Sequence, residues 1–171
     1  METLVNRVAE SGLLTLDLSS ILPKEADAIS FDLKPFLFME MILKEKDYRA
    51  ALQQHNWQVY QGKQVALFCS ADAIVPVWAY MLAATYLQGI ATSVYFGSPA
   101  EMQKHILLQN IEKLDTETYR DKRVVIKGCG DIAIPDEAYV AISVKLKPLV
   151  KSLMYGEPCS TVPVYKKAKT E

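Results

Sequence analysis

Gln64-Val-Ala-Leu-Phe-Cys69, with Gly62 just before it, is a short run without polar alternation. Such a run suits a strand buried on both faces, the habit of parallel sheets. The chain after it alternates in the same way. Asp72 to Gln88 reads as a helix with Pro76 in its first turn and Gly89 at its C-terminal cap. It is apolar nearly all round and so is expected to be buried. Thr92 to Phe96 is the next strand. Ser98-Pro-Ala-Glu101 is a capping box with proline at the first helical position, and its helix should run to about Asn110. Arg123 to Lys127 is a third strand. Pro135 opens a further helix with Asp136 and Glu137 in its first turn, Lys145 and Lys147 in its last, and Ala138, Ile142, Leu146 and Leu149 facing inward. Val150 to Tyr155 is a fourth strand.

Strands alternating with helices imply crossover connections and a mostly parallel sheet. The expected fold is therefore α/β: a Rossmann-like, three-layer α/β/α arrangement, with an N-terminal α+β extension. The extension is less regular. Residues 1–10 suggest a short helix, 13–18 an extended segment, Ser19 to Pro23 a turn and Ile29 to Phe31 a strand. Asp32 suits the cap of a helix through Pro35-Phe36-Leu37-Phe38, and residues 44–55 read as a helix with a charged face. No linker, low-complexity segment or convincing repeat stands out. The expectation is one domain over 1–171, with an N-terminal portion (1–60) packed on a core (61–165) and a basic tail (166–171).

The length of 171 residues suits a domain with a real core. A net charge of −1 excludes a global basic field for nucleic acid. The N-terminus lacks the apolar core of a signal peptide and no apolar run is long enough to span a bilayer, so a cytoplasmic location without membrane contact is expected. Three cysteines in a reducing compartment argue against a disulfide framework.

Those cysteines carry the candidate site. In an open parallel sheet, ligands bind outside the carboxyl ends of the strands. Cys69, Cys129 and Cys159 each fall where a strand runs out, beside Asp72, Gly128, Gly130, Asp131, Glu157 and Ser160. Thiolates are soft ligands suited to zinc or an iron–sulfur cluster, so the three cysteines form a candidate metal set. Asp72, Asp131 and Glu157 are candidate fourth ligands, while His55 and His105 fall in helices away from the edge. In a second reading, Cys129 or Cys159 is a reactive thiol. A third has Gly128, Gly130, Asp131, Glu157 and Ser160 holding a nucleotide or another anion, since Gly128-Cys-Gly130-Asp-Ile-Ala133 matches G-x-G-x-x-G/A after a strand. The plainest alternative is a non-enzymatic interaction protein whose cysteines are small core residues. No P-loop, zinc-protease or nucleophile-elbow motif is present, and the sequence names no reaction.

Cys69-Ser-Ala-Asp-Ala-Ile-Val-Pro-Val-Trp-Ala-Tyr80, Val125-Ile-Lys-Gly-Cys-Gly-Asp131 and Met154-Tyr-Gly-Glu-Pro-Cys-Ser-Thr-Val-Pro-Val-Tyr-Lys166 resemble an uncharacterised bacterial family, one of the domain-of-unknown-function groups. The resemblance also takes in Leu43-Lys-Glu-Lys-Asp47 and Tyr60-Gln-Gly-Lys63. It implies no established activity or catalytic residues. It implies a setting near iron–sulfur assembly genes, and hence iron–sulfur assembly proteins as expected partners.

Overall fold

The computed structural model describes residues 12–127, 132–157 and 160–168. Among them the chain is a mixed α/β structure with four α-helices and mostly parallel sheets. Its strands are β1 (Leu13–Leu16), β2 (Ala28–Asp32), β3 (Leu37–Phe38), β4 (Ile42–Leu43), β5 (Gln64–Phe68), β6 (Ser93–Phe96), β7 (Arg123–Ile126), β8 (Ser152–Glu157) and β9 (Ser160–Lys166). Its helices are α1 (Glu45–Gln54), α2 (Val77–Leu87), α3 (Pro99–Lys113) and α4 (Asp136–Leu146). The helix expected over residues 1–10 lies outside the described residues.

The strands expected in one sheet are divided between two. β2-β5-β6 form a three-stranded parallel sheet; β1-β7-β8-β9 form a four-stranded one in which only β9 runs antiparallel. The chain packs correspondingly as two compact units. One is residues 23–105. The other joins 106–171 to the described part of 1–22.

The two units are built alike, although the sequence shows no convincing repeat. β5, α2 and β6 begin at 64, 77 and 93; β7, α4 and β8 begin at 123, 136 and 152, each 59 residues later. Strand register repeats with the same offset: Gln64 is opposite Ser93 as Arg123 is opposite Ser152. So do the turns. Asn56 Oδ1 accepts from the Gln58 N–H, and Asp115 Oδ1 from the Glu117 N–H. The N–H of Gly62 donates to Ile90 O at 3.0 Å, and that of Asp121 to Leu149 O at 2.9 Å. Both donors have left-handed φ, +69° and +56°. The first strand of each sheet follows another offset. β1 pairs with β7 in the register that β2 uses with β5, but Leu13 precedes Ala28 by only 15 residues. The N-terminal strand thus completes the later unit.

Local chemistry explains where elements differ from expectation. α2 starts at Val77 rather than Asp72 because proline lacks an N–H and disfavours helix in the residue before it; Pro76 is its N-cap. α2 is not buried all round: Ala79, Ala83 and Leu87 face the core while Val77 and Met81 are exposed. Asp32 accepts from the Lys34 N–H, but only a single 3-10 turn, Lys34–Phe36, follows, with Leu33 as its N-cap, after which Leu37 and Phe38 turn extended. Tail residue Lys166 ends β9, and the Lys167 N–H donates to Lys151 O. The capping box forms as expected: Ser98 N–H donates to Glu101 Oε2 at 2.8 Å, and Glu101 N–H to Ser98 Oγ at 3.3 Å.

Each unit has its own core. That of residues 106–171 with the N-terminal strand is aliphatic, built on Leu16, Leu107, Ile111, Ile142 and Leu146. That of residues 23–105 is aromatic, with Phe31, Tyr48, Trp57 and Tyr60. His55 lies inside this aromatic cluster. Its ring meets Trp57 at 4.8 Å and Phe31 at 5.4 Å, and its Nε2 is 3.1 Å from the Tyr60 hydroxyl. Burial pushes the His55 pKa below its ordinary 6.5. The folded value is therefore lower than the unfolded one. The neutral ring's contribution is complete above the unfolded value and is lost as pH falls through it toward the folded value. Thermal unfolding followed from about pH 8 to about pH 5.5 should show a falling midpoint in the native chain and a smaller fall in His55→Gln. Parallel curves for the two proteins would show that His55 does not couple folding to pH.

Candidate functional site

The carboxyl ends of the parallel strands are organised around an aspartate in each unit. In residues 23–105, Asp32 ends β2. Its Oδ1 accepts from the Lys34 and Ser70 N–H groups, both at 2.9 Å, and its Oδ2 from the Ser70 hydroxyl at 2.5 Å. Burial raises the Asp32 pKa, but those donors outweigh it and the net shift is downward. In the other unit Asp17 follows β1. Its Oδ1 accepts from the Ser19 N–H at 2.9 Å and its Oδ2 from Lys127 Nζ at 3.0 Å. Ser19 and then Lys127 hold its pKa below the usual range. An aromatic pair stands at the same edge in both: Tyr80 and Phe96 with ring centres 4.9 Å apart, Tyr139 and Tyr155 at 5.5 Å, each at 83°. Because both units share them, these features are explained by the fold: a strand-end clasp and an edge-to-face pair.

The cysteine set does not form a ligand group among the described residues. Cys69 follows β5 as a free, half-buried thiol that donates to Ala71 O at 3.8 Å. It lies in the unit of residues 23–105. Gly128, Cys129, Gly130, Asp131 and Cys159 lie outside the described residues. Glu157 and Ser160, expected in a strand-end ligand loop, are the last residue of β8 and the first of β9, paired across a hairpin. Among the described residues no group of three His, Cys, Asp or Glu is placed to hold a metal ion. Asp72 is exposed in the loop before α2. His55 is in the aromatic cluster, and His105, in α3, faces Tyr95.

One element of the 23–105 unit has no counterpart among the described residues of the other. β3 and β4 form a small hairpin in which Phe38-Met39-Glu40-Met41-Ile42 are five consecutive exposed residues, Met39 at 75% and Met41 at 68%. The Met41 N–H donates to Phe38 O at 3.1 Å, and the residues between them, Met39 and Glu40, have φ of +52° and +56°. Two positive φ values at the centre of a two-residue hairpin turn mark the type I′ geometry, which ordinarily uses Asn-Gly. Methionine and glutamate there cost about 1–2 kcal/mol each. Lys44 Nζ sits 3.5 Å over the Phe38 ring, and Lys34 pairs with Glu40 at 3.3 Å. The first contact lies at the strand end of the hairpin and the second at its apex, and Phe38, Met39, Met41 and Ile42 remain exposed. The sequence reading missed it because the turn carries no glycine or asparagine. The signal present was the cluster of four large apolar residues around a single acid.

The fold and its strand ends thus define a mixed α/β protein of two like-built parallel-sheet units. The chain belongs to the family described as protein of unknown function (DUF2480), which matches residues 2–167. No curated protein and no solved structure matches it. No helix among the described residues is long and apolar enough to cross a membrane.

Two substitutions separate scaffold from tip. Asp32→Ala should lower unfolding stability by about 1–2 kcal/mol near neutral pH, measured by urea unfolding. The Asp32 pKa is depressed on folding, so its contribution is present above the unfolded value and lost as pH falls through the folded one; the difference between the two proteins should close in acid. In the hairpin, the double change Met39→Asn with Glu40→Gly should raise stability by about 1–2 kcal/mol by relieving the turn. A loss or no gain would show that the turn stores no strain.

Proposed function

We propose that this chain is a non-enzymatic interaction protein whose recognition element is the Phe38–Ile42 hairpin. The observation that carries the proposal is the uncovered run of Phe38, Met39, Met41 and Ile42 on a strained turn. Exposed apolar residues gathered in one place mark contact surfaces, and methionine suits them because its unbranched, polarisable side chain adapts to a partner. Backbone strain retained where no core needs it points the same way. The partner's chemistry follows from the tip: an apolar pocket with a cation or hydrogen-bond donor for Glu40. That acid at the apex, paired with Lys34, disfavours insertion into lipid and favours a protein pocket. Each unit is read as a minimal Rossmann-like βαβαβ scaffold that positions such elements without supplying chemistry. A cytoplasmic location suits this reading, and iron–sulfur assembly proteins remain the partners that the family setting suggests.

The test is site-specific photocrosslinking in cells. A photoreactive phenylalanine analogue at Met41 should give one dominant protein adduct. The adduct should disappear when Phe38→Ser and Ile42→Ser are added, with the folded state unchanged by circular dichroism. The same probe at exposed Val59 should not give it. A pattern at Met41 no different from that at Val59 would overturn the proposal.

A further inference from the structure

In the unit of residues 106–171, α4 presents two apolar side chains on its outer face. Val140 and Val144 are 64% and 71% exposed, opposite the fully buried stripe of Ala138, Ile142 and Leu146. Valine is a poorer helix former than alanine or leucine, so an exposed helix position gains nothing from it unless it packs. Val144 stands between two clefts. With Leu108 and Ile111 of α3 and with Ala141 it lines one of about 350 Å³. With Leu153, Val164 and Tyr165 it lines another of about 240 Å³. A ridge flanked by grooves is the shape that a second ridge of the same kind fits.

The ends of the same face are charged. Asp136 and Glu137 are exposed at its first turn, and Lys147, still helical, at its last. From Ala138 to Val144 the helix holds no charge. Lys145 is turned aside: its Nζ donates to the carbonyls of Ile111 and Glu112. Glu137, Val140, Val144 and Lys147 follow one another at steps of 3, 4 and 3, the spacing of a seam between two helices. The helix dipole favours acids first and bases last. Yet α2 has the same dipole and does without them: its outward stripe is Val77, Met81, Thr85 and Gln88.

We infer that two copies of this chain pair through α4, with the helices antiparallel about a two-fold axis at the level of Ile142. Position 142 is midway between Val140 and Val144, and also midway between Glu137 and Lys147. The axis therefore sets each copy's Val140 beside the other's Val144, and each copy's Lys147 beside the other's acidic turn. A parallel pairing would stack acid on acid and base on base. The α2 face of another copy carries no charge to meet either end. The same helix reversed supplies base opposite acid at both ends with an apolar middle, and this charge match is what selects a second copy as the occupant. Lys147 is placed for it at the rim of the second cleft, with its Nζ 5.7 Å from the Tyr165 ring centre.

Sedimentation velocity on the full chain over a dilution series tests this. A dimer that dissociates on dilution is expected. Val144→Lys should give a monomer that keeps its circular dichroism and thermal midpoint. Lys147→Glu, which turns both end pairs into like charges, should raise the dissociation midpoint about tenfold. Met81→Lys, on the outer face of α2, should dimerise as the native chain does. A native chain that is monomeric at every concentration overturns the inference. So does a dimer that Val144→Lys leaves intact, that Lys147→Glu does not weaken, or that Met81→Lys disperses. The native dilution series needs no variant, and none of these outcomes touches the hairpin reading.

Discussion

The structure depends on the pairing of β1 with β7. Leu13 to Leu16 lie against Arg123 to Ile126, with the whole of the other unit between them in sequence. Without β1, the sheet β7-β8-β9 would show an unpaired parallel edge, and Leu16 and Leu18 would be lost from the aliphatic core. The loop closed by this pairing is long, but closure entropy grows only logarithmically with length, so it costs little more than a closure half as long. Its cost is kinetic. A parallel pairing of such separation forms late, and it makes this unit dependent on a strand synthesised long before the rest. The Asp17 clasp acts at this join: Lys127 Nζ donates to its carboxylate directly beyond the last paired residues.

The same backbone frame carries two different interiors, and the equivalent positions show how. Phe31 and Tyr48 on one side stand where Leu16 and Leu107 stand on the other, and Ala83 stands where Ile142 does. Larger residues on strand and first helix are offset by a smaller one on the second helix. Ala79 and Leu87 match Ala138 and Leu146 unchanged, all fully buried. Cores tolerate such exchange when total volume and pattern are kept. The aromatic solution brings side-chain hydrogen bonds with it: buried Tyr48 donates to Ala79 O at 3.0 Å, and Trp57 Nε1 to Leu52 O at 2.8 Å. The added polar atoms are satisfied, which is what makes an aromatic core affordable.

Much of the frame was legible in the sequence because local chemistry specified it. Gln64–Phe68, the Ser98–Glu101 box and the helix after Pro135 were placed by period, cap and proline. β9 was not, because Gly156-Glu-Pro158 reads as the end of a strand and Pro163 argues against one. Pro163 is tolerated because it lies in an outer strand where the register shifts between Leu153 and Met154. The repeat was hidden for two reasons. Few identities survive, among them Pro76 with Pro135, Tyr80 with Tyr139 and Gly97 with Gly156, and the first strand is displaced by 15 residues rather than 59. The cysteine site was read from a single sheet edge; the strands lie in two sheets, and Cys129 and Cys159 fall outside the described residues. In the aligned sequences no cysteine meets a cysteine: Cys69 falls opposite Gly128, Cys129 opposite Ser70, and Cys159 opposite Ala100.

A chain built from two like units offers its own control for separating scaffold from function. What both units carry, such as the aspartate clasp and the edge-to-face aromatic pair, follows from making a short parallel sheet with strand ends that do not fray. What one unit carries alone needs another reason. The later unit spends its extra residues on β9, which closes an edge. The earlier unit spends its extra residues on a hairpin that closes nothing, whose turn holds two residues in a conformation about 1–2 kcal/mol above the ordinary one for each. Among the described residues it also leaves β6 without a strand on its outer side. Stability alone would favour Asn-Gly in the turn and a charge on the edge. Both departures fall in the same unit and both leave apolar side chains uncovered, and the proposed role of the hairpin in recognition rests on the first of them.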